Sequence, residues 1–193
     1  TYRRVLHDGL FAAVILSGNW RYYFSAYDPP DSQAPGATTP RKNFDTYLEA
    51  TLSVAEKAGV PVLLLGPSLE FPAPLPPNLV RYELTHMPMG ETLSVVPASF
   101  IADAYLKEFA GRHRNVRFVS VLAAVCDGRD CPLKADPETP LVWDTLHLTP
   151  EGSLYVMQRL APTLDGILAG PYPRPELVQR TGAQLRPAQT TTR

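Results

Sequence analysis

The sequence predicts an α/β fold, a three-layer α/β/α sandwich built on a parallel sheet. Short, mostly apolar runs recur at Leu10–Leu16, Val60–Gly66 and Val116–Leu122, the third interrupted by Arg117 and Ser120, and a strand with so continuous an apolar pattern is one buried on both faces. Between these runs lie longer segments with apolar residues at helical spacing. Strands that alternate with helices in this way wind into parallel sheets covered on both faces.

In chain order, Leu10–Leu16 is the first expected strand. Asp28–Arg41 is rich in Pro, Gly, Ser and Thr and reads as a long exposed loop. Asn43 is placed to cap a helix carrying Phe44, Tyr47, Leu48, Leu52 and Ala55 on one face, with Gly59 stopping it. The second strand ends at Gly66-Pro67, where a functional loop can start. Residues 70–97 hold many prolines and no period, which predicts an irregular excursion. A helix over Ala98–Ala110 is expected to bury Ile101, Ala104, Tyr105 and Phe109 and to end at Gly111. The third strand follows, then a polar, Pro-rich stretch leading to Leu141-Val142-Trp143. A last helix starts near Pro150: Thr149 suits the N-cap, Pro150 the first turn, and Glu151 the positive end of the dipole. Its expected stripe is Leu154, Met157, Leu160 or Ala161, Leu164 and Leu168. Residues 1–169 thus read as one domain, and 170–193, dominated by Pro, Gln, Thr and Arg, as a flexible tail. Three strands make a thin sheet, and the chain opens on Thr1 without an initiator Met. Both observations predict a piece of a longer protein, with at least the first strand of the sheet lying before Thr1.

Composition narrows the function classes. Of 193 residues, 45% are hydrophobic and 19% charged, which excludes a disordered or collagen-like chain. Eighteen basic residues against nineteen acidic ones leave a formal charge of −1. A nucleic-acid binder would carry a basic surplus to displace counterions, so no nucleic-acid partner is expected. No stretch reaches the ~18 apolar residues that span a bilayer. The two cysteines, Cys126 and Cys131, flank Asp-Gly-Arg-Asp. Protein-held zinc commonly takes two close pairs, so neither a metal nor any other cofactor is expected. Two readings of the pair remain: a disulfide closing a small loop in an oxidising compartment, or two unpaired thiols.

Chemistry concentrates in Trp143-Asp144-Thr145-Leu146-His147-Leu148-Thr149-Pro150-Glu151-Gly152. An acid three positions before a histidine lets the carboxylate hold Nδ1–H and leaves Nε2 free to take a proton from a nucleophile. A loop beyond the sheet is also where α/β domains build their sites.

Asp144-Thr145-Leu146-His147-Leu148-Thr149 followed by Gly152 resembles the last block of the SGNH hydrolase superfamily, Asp-x-x-His-Leu-Ser/Thr-x-x-Gly. The chain is most similar to the SGNH domain at the C-terminal end of acyltransferase-3 membrane proteins, bacterial O-acetyltransferases of surface polysaccharides. The strand ending Val14-Ile15-Leu16-Ser17-Gly18-Asn19-Trp20-Arg21-Tyr22 fits that subgroup, as do Val62-Leu63-Leu64-Leu65-Gly66-Pro67 and the Cys126/Cys131 pair after Phe118-Val119-Ser120-Val121. The similarity covers roughly residues 10–168.

The resemblance implies a flavodoxin-like parallel sheet and a Ser-His-Asp site. His147 would be the general base, Asp144 its orienting acid, and Asn19 a donor to the oxyanion. The usual Gly-x-Asn-Asp of that block is altered here, since Gly18 and Asn19 are adjacent and Trp20 replaces the acid. Trp20, with Tyr22 and Tyr23 beside it, could stack on a sugar ring. The family's nucleophile lies in a Gly-Asp-Ser block, and none of the nine serines sits in one; Ser17, nearest a strand end, occupies the oxyanion region instead. The nucleophilic serine is therefore expected before Thr1. The implied partners are an acyl donor, a carbohydrate acceptor and an upstream membrane acyltransferase domain of the same protein. The implied location is periplasmic, anchored to the inner membrane. The alternatives are a carbohydrate or lipid esterase, in which water wins the second step, and a silent glycan- or partner-binding module.

Overall fold

A computed structural model describes residues 13–23, 40–85 and 92–169. Its central sheet has three parallel strands, β1 (Val14–Leu16), β2 (Val62–Leu65) and β4 (Val116–Val119), in the order β1-β2-β4. Val14 pairs with Val62, and Val62 with Val116. A second, antiparallel pair joins β3 (Thr92–Ser94) to β5 (Asp130–Pro132), with Leu93 opposite Cys131. The helices are α1 (Pro40–Lys57), α2 (Leu75–Thr85), α3 (Pro97–Ala110), α4 (Val121–Val125) and α5 (Pro150–Ala169); a 3-10 turn spans Trp20–Tyr23.

Side chains alternate along β2, so its two faces feed two cores. Val62 and Leu64 pack with Phe44, Leu48 and Leu52 of α1 and with Ala102, Leu106 and Phe109 of α3. Leu63 faces the other way, into Val121 and Leu122 of α4 and Val156 and Leu160 of α5. Chain order explains the layers. Two successive crossovers, β1 to β2 and β2 to β4, step the same way along the sheet. Right-handed connections then put α1 and α3 on one face, leaving the other to α4 and α5. The expected α/β sandwich with a parallel sheet is the observed architecture. Of the first predicted strand, Leu10–Ala12 lie outside the described residues, as do 28–39 of the predicted loop and the predicted tail, 170–193.

Several local expectations need correction. Helix α1 starts at Pro40, so Asn43 lies inside it and is no cap; proline's fixed φ suits a first helical position. Tyr47 is 71% exposed and stands off the buried face of Phe44, Leu48, Leu52 and Ala55. Part of the supposed irregular excursion is regular: α2 and β3 both fall in residues 70–97. Pro76 and Pro77 sit in the first turn of α2, where backbone N–H groups have no helical partner to lose. The buried face of α3 is Ser99, Ala102, Leu106, Phe109 and Ala110, while Ile101 is exposed. The third strand stops at Val119, because the Ser120 hydroxyl accepts the Ala123 N–H at 3.0 Å and caps α4. On α5 the buried positions are Gly152, Val156 and Leu160, and Leu154 and Met157 face outward.

Cys126 and Cys131 form a disulfide. It closes a tight hairpin in which Asp127 and Asp130 exchange backbone bonds at 2.9 and 3.0 Å. Gly128 takes φ +59° at the turn, where a side chain would be strained.

Candidate functional site: an Asp-His hairpin beyond the sheet

The segment after Val142 is a small hairpin. Val142 and Leu148 bridge antiparallel, and the Trp143 N–H donates to the His147 carbonyl at 2.7 Å. Between these ends the chain folds around one side chain. Asp144 Oδ1 accepts the N–H groups of Leu146 at 2.8 Å and His147 at 2.9 Å, the local bonding that aspartate offers a turn. Its other oxygen, Oδ2, lies 2.7 Å from His147 Nδ1. One carboxylate thus shapes the loop and orients the imidazole. The His147 N–H, the Leu146 N–H and then the imidazole, in that order, hold the Asp144 carboxyl well below the usual carboxylate range. It stays ionised and accepts from Nδ1–H, which leaves Nε2 as the basic atom. Among the described residues no hydrogen bond uses Nε2, and the imidazole is 71% exposed.

The end of the hairpin is anchored by Thr149, which is buried. Its hydroxyl donates to the Pro140 carbonyl at 2.9 Å and accepts the Gly152 N–H at 2.9 Å, capping α5 as the sequence predicts. Gly152 is required by contact. A Cβ there would run into the Leu141 carbonyl.

Long-range bonds place this hairpin at the carboxyl ends of the strands, where open α/β sheets bind ligands. The loop after β2 and the start of α2 each donate to it, Phe71 N–H to the Thr145 carbonyl at 2.7 Å and Leu75 N–H to the Asp144 carbonyl at 3.2 Å. The same loop carries Glu70, which is ion-paired with Arg21 of the 3-10 turn after β1. Trp20 ties that turn to β2 by donating its Nε1–H to the Leu65 carbonyl at 2.7 Å. Asn19 stands exposed just before the turn. The structure therefore joins Arg21, residues 70–71 and the 144–147 hairpin through one chain of contacts, with Asn19 two positions before Arg21. Opposite charges 49 positions apart leave no signal in a single sequence, so the Arg21–Glu70 link was not legible there.

The predicted aromatic cluster is largely committed to packing. Trp20 is half-buried, with its ring edge-on to Phe44 at 5.7 Å, and Tyr23 stacks on Phe44 at 4.7 Å. The Tyr22 side chain lies outside the described residues. Trp143, the first residue of the segment that carries the Asp-His pair, is 62% exposed. Ser17 is exposed in the segment between β1 and the turn. No group of three His, Cys, Asp or Glu among the described residues is arranged to hold a metal, and no described helix is long and apolar enough to cross a membrane.

Comparison with known proteins places this geometry. The family described as "SGNH domain (fused to AT3 domains)" matches residues 2–162. No curated protein sequence matches the chain. Among solved structures, the periplasmic domain of a lipopolysaccharide acetyltransferase from Salmonella ser. Paratyphi A superposes with a TM-score of 0.56 at 16% identity. The match covers 68% of this chain and 53% of that one, so this chain spans about half the length of that domain. With the matched residues taking in nearly all of the described sheet, both cores and the Asp144–His147 hairpin, the chain belongs to the family of SGNH domains fused to AT3 domains.

Proposed function

We propose that this protein is the extracytoplasmic SGNH part of a bacterial O-acyltransferase, moving an acetyl or similar acyl group onto a hydroxyl of a surface carbohydrate. The observation that carries this reading is the 2.7 Å contact of Asp144 Oδ2 with His147 Nδ1, with Nε2 open at the surface. Membership of a family fused to AT3 domains supports tethering to a membrane acyltransferase domain. The disulfide accords with an oxidising compartment such as the periplasm.

In this mechanism the nucleophile is a serine hydroxyl contributed by a segment before Thr1. His147 Nε2 takes the serine proton as the oxygen attacks the acyl carbonyl, and Asp144 stabilises the imidazolium that forms. The imidazolium then protonates the donor's leaving group. In the second half the neutral imidazole removes the proton of the acceptor hydroxyl as that oxygen attacks the acyl-serine carbonyl, and the imidazolium returns the proton to the departing serine oxygen, restoring the free enzyme. Asn19 supplies its side-chain amide to the oxyanion, a donor that can matter by ~10²–10³ in rate. The exposure of His147 favours a second reading, hydrolysis, because an imidazole open to solvent can activate water as readily as a sugar hydroxyl.

Labelling by a serine-reactive fluorophosphonate tests the placement of the nucleophile. The 193-residue chain should not label, whereas a form extended at its N-terminus should. Labelling of the short form that disappears in Ser17→Ala would overturn that placement. In the extended form His147→Ala should lower turnover by ~10³-fold or more with the fold intact, and undiminished turnover would remove the acid–base role. The ratio of acylated sugar to free acid separates transferase from esterase.

A further inference from the structure

We propose that Trp143 is the sugar-stacking surface of this site, the face against which a pyranose ring of the acyl acceptor lies. The inference rests on the acyl-transfer reading above and assigns its acceptor subsite. It moves that role from Trp20 to a different indole. The protein has two tryptophans, and their settings are opposite. Trp20 is half-buried and spends its Nε1–H on the Leu65 carbonyl. Trp143 is 62% exposed, although a tryptophan has more apolar area to gain from burial than other side chains. Among the described residues no hydrogen bond uses its Nε1 and no ring packs on it.

The backbone explains both the exposure and the aim. Leu141 and Val142, immediately before it, are fully buried, so the chain turns out of the core at Trp143. Its N–H is bound to the His147 carbonyl at 2.7 Å, and Asp144 braces the turn between them. The indole and the imidazole therefore stand at the two ends of one closed hairpin. The backbone hydrogen bonds hold the two positions from which these rings rise close together, as placing a reacting hydroxyl requires.

The surroundings select the ligand class. A protein-docking patch needs contiguous apolar surface, but the residues between Trp143 and His147 include Asp144 and Thr145. A lone aromatic face beside polar groups matches a pyranose, which presents a C–H face to the ring and a rim of hydroxyls to donors and acceptors. The free Nε1–H supplies one donor, and His147 Nε2 faces the hydroxyl to be acylated.

The indole N–H cross-peaks of Trp143 and Trp20 in a proton–nitrogen spectrum of the N-terminally extended protein, assigned with Trp143→Phe and Trp20→Phe, provide the readout. The probes are methyl β-D-galactopyranoside and methyl α-L-rhamnopyranoside, added to about 0.1 M, with acyclic sorbitol as the control. The Trp143 peak should move saturably with at least one pyranoside and stay still with sorbitol, while the Trp20 peak stays still throughout. In the N-terminally extended protein, Trp143→Ala should raise the acceptor KM about tenfold and change kcat less than about twofold, and Trp143→Phe should restore most of the loss. No saturable shift with either pyranoside, an equal shift with sorbitol, or a fall in kcat at unchanged KM would overturn the proposal. Failure of the acyl-transfer reading shows separately, as turnover that survives His147→Ala.

Discussion

Asp144 and Asp103 are carboxylates whose surroundings push them in opposite directions. Asp144 is exposed but collects two backbone N–H groups and an imidazole, and these favour its charged form. Its lowered pKa contributes stability above the ordinary carboxylate range, and that contribution is lost as pH falls below it. Asp103, on α3, lies against Gly66 and Ser120 at the ends of β2 and β4. Burial raises its pKa, more than the Ser120 hydroxyl donating to both oxygens lowers it. Here the sign reverses: the protein loses stability as pH rises from the ordinary aspartate value through the raised one. Asp103→Asn keeps an acceptor for Ser120 and removes the charge. Its melting temperature should exceed that of the wild type at pH 7, with the gap closing towards pH 4. Parallel melting profiles from pH 4 to 8 would contradict this sign. The Asp144–His147 couple was legible in the sequence because three residues of spacing suffice to bring the groups together. The Asp103–Ser120 contact was not, since it joins a helix to the end of a strand that each pass as ordinary core elements.

At the scale of elements, α5 is held in place by a close approach. Its first turn lies so near the Leu141 carbonyl that position 152 admits no Cβ, and the Thr149 hydroxyl links Pro140 to the Gly152 N–H. Gly152→Ala should therefore lower stability by about 1–3 kcal/mol in denaturant titrations, the range for an overpacked site. An unchanged midpoint would show that α5 can slide without cost. The existence of α1, α3 and α5 was plain from the sequence, but their phases at α3 and α5 were not. Ile101, Leu154 and Met157 are apolar and exposed, whereas small residues such as Ala102 and Gly152 make the contacts. When apolar side chains surround a helix, periodicity cannot choose the face, and closeness of backbone approach does. Helix α2 escaped notice for a different reason. Pro76-Pro77 reads as a break, yet the first turn of a helix accepts proline.

Over the whole molecule, the disulfide ties the end of α4 to β5 across a short hairpin. Cys126 ends α4, and Cys131 is fully buried in β5, opposite Leu93 of β3. Closing so short a loop contributes about 2 kcal/mol by restricting the unfolded chain. Replacing both cysteines by alanine should lower the melting temperature by about 5 °C, and reductant should do the same to the wild type. A drop several times larger would mean that the hairpin organises the core rather than trims the unfolded state. By itself the sequence determined what depends on neighbours in the chain: the alternation of strands and helices, the Thr149 cap, and an acid and a histidine close enough to pair. Tertiary structure alone decided that Arg21 meets Glu70, that the loop after β2 grips the hairpin at Thr145, and that Trp143 stands mostly in water while Trp20 is half-buried. Short-range features follow from backbone geometry, which every local window carries. Burial and distant pairing depend on how all the layers compete for the same apolar surface, and no window of sequence holds that sum.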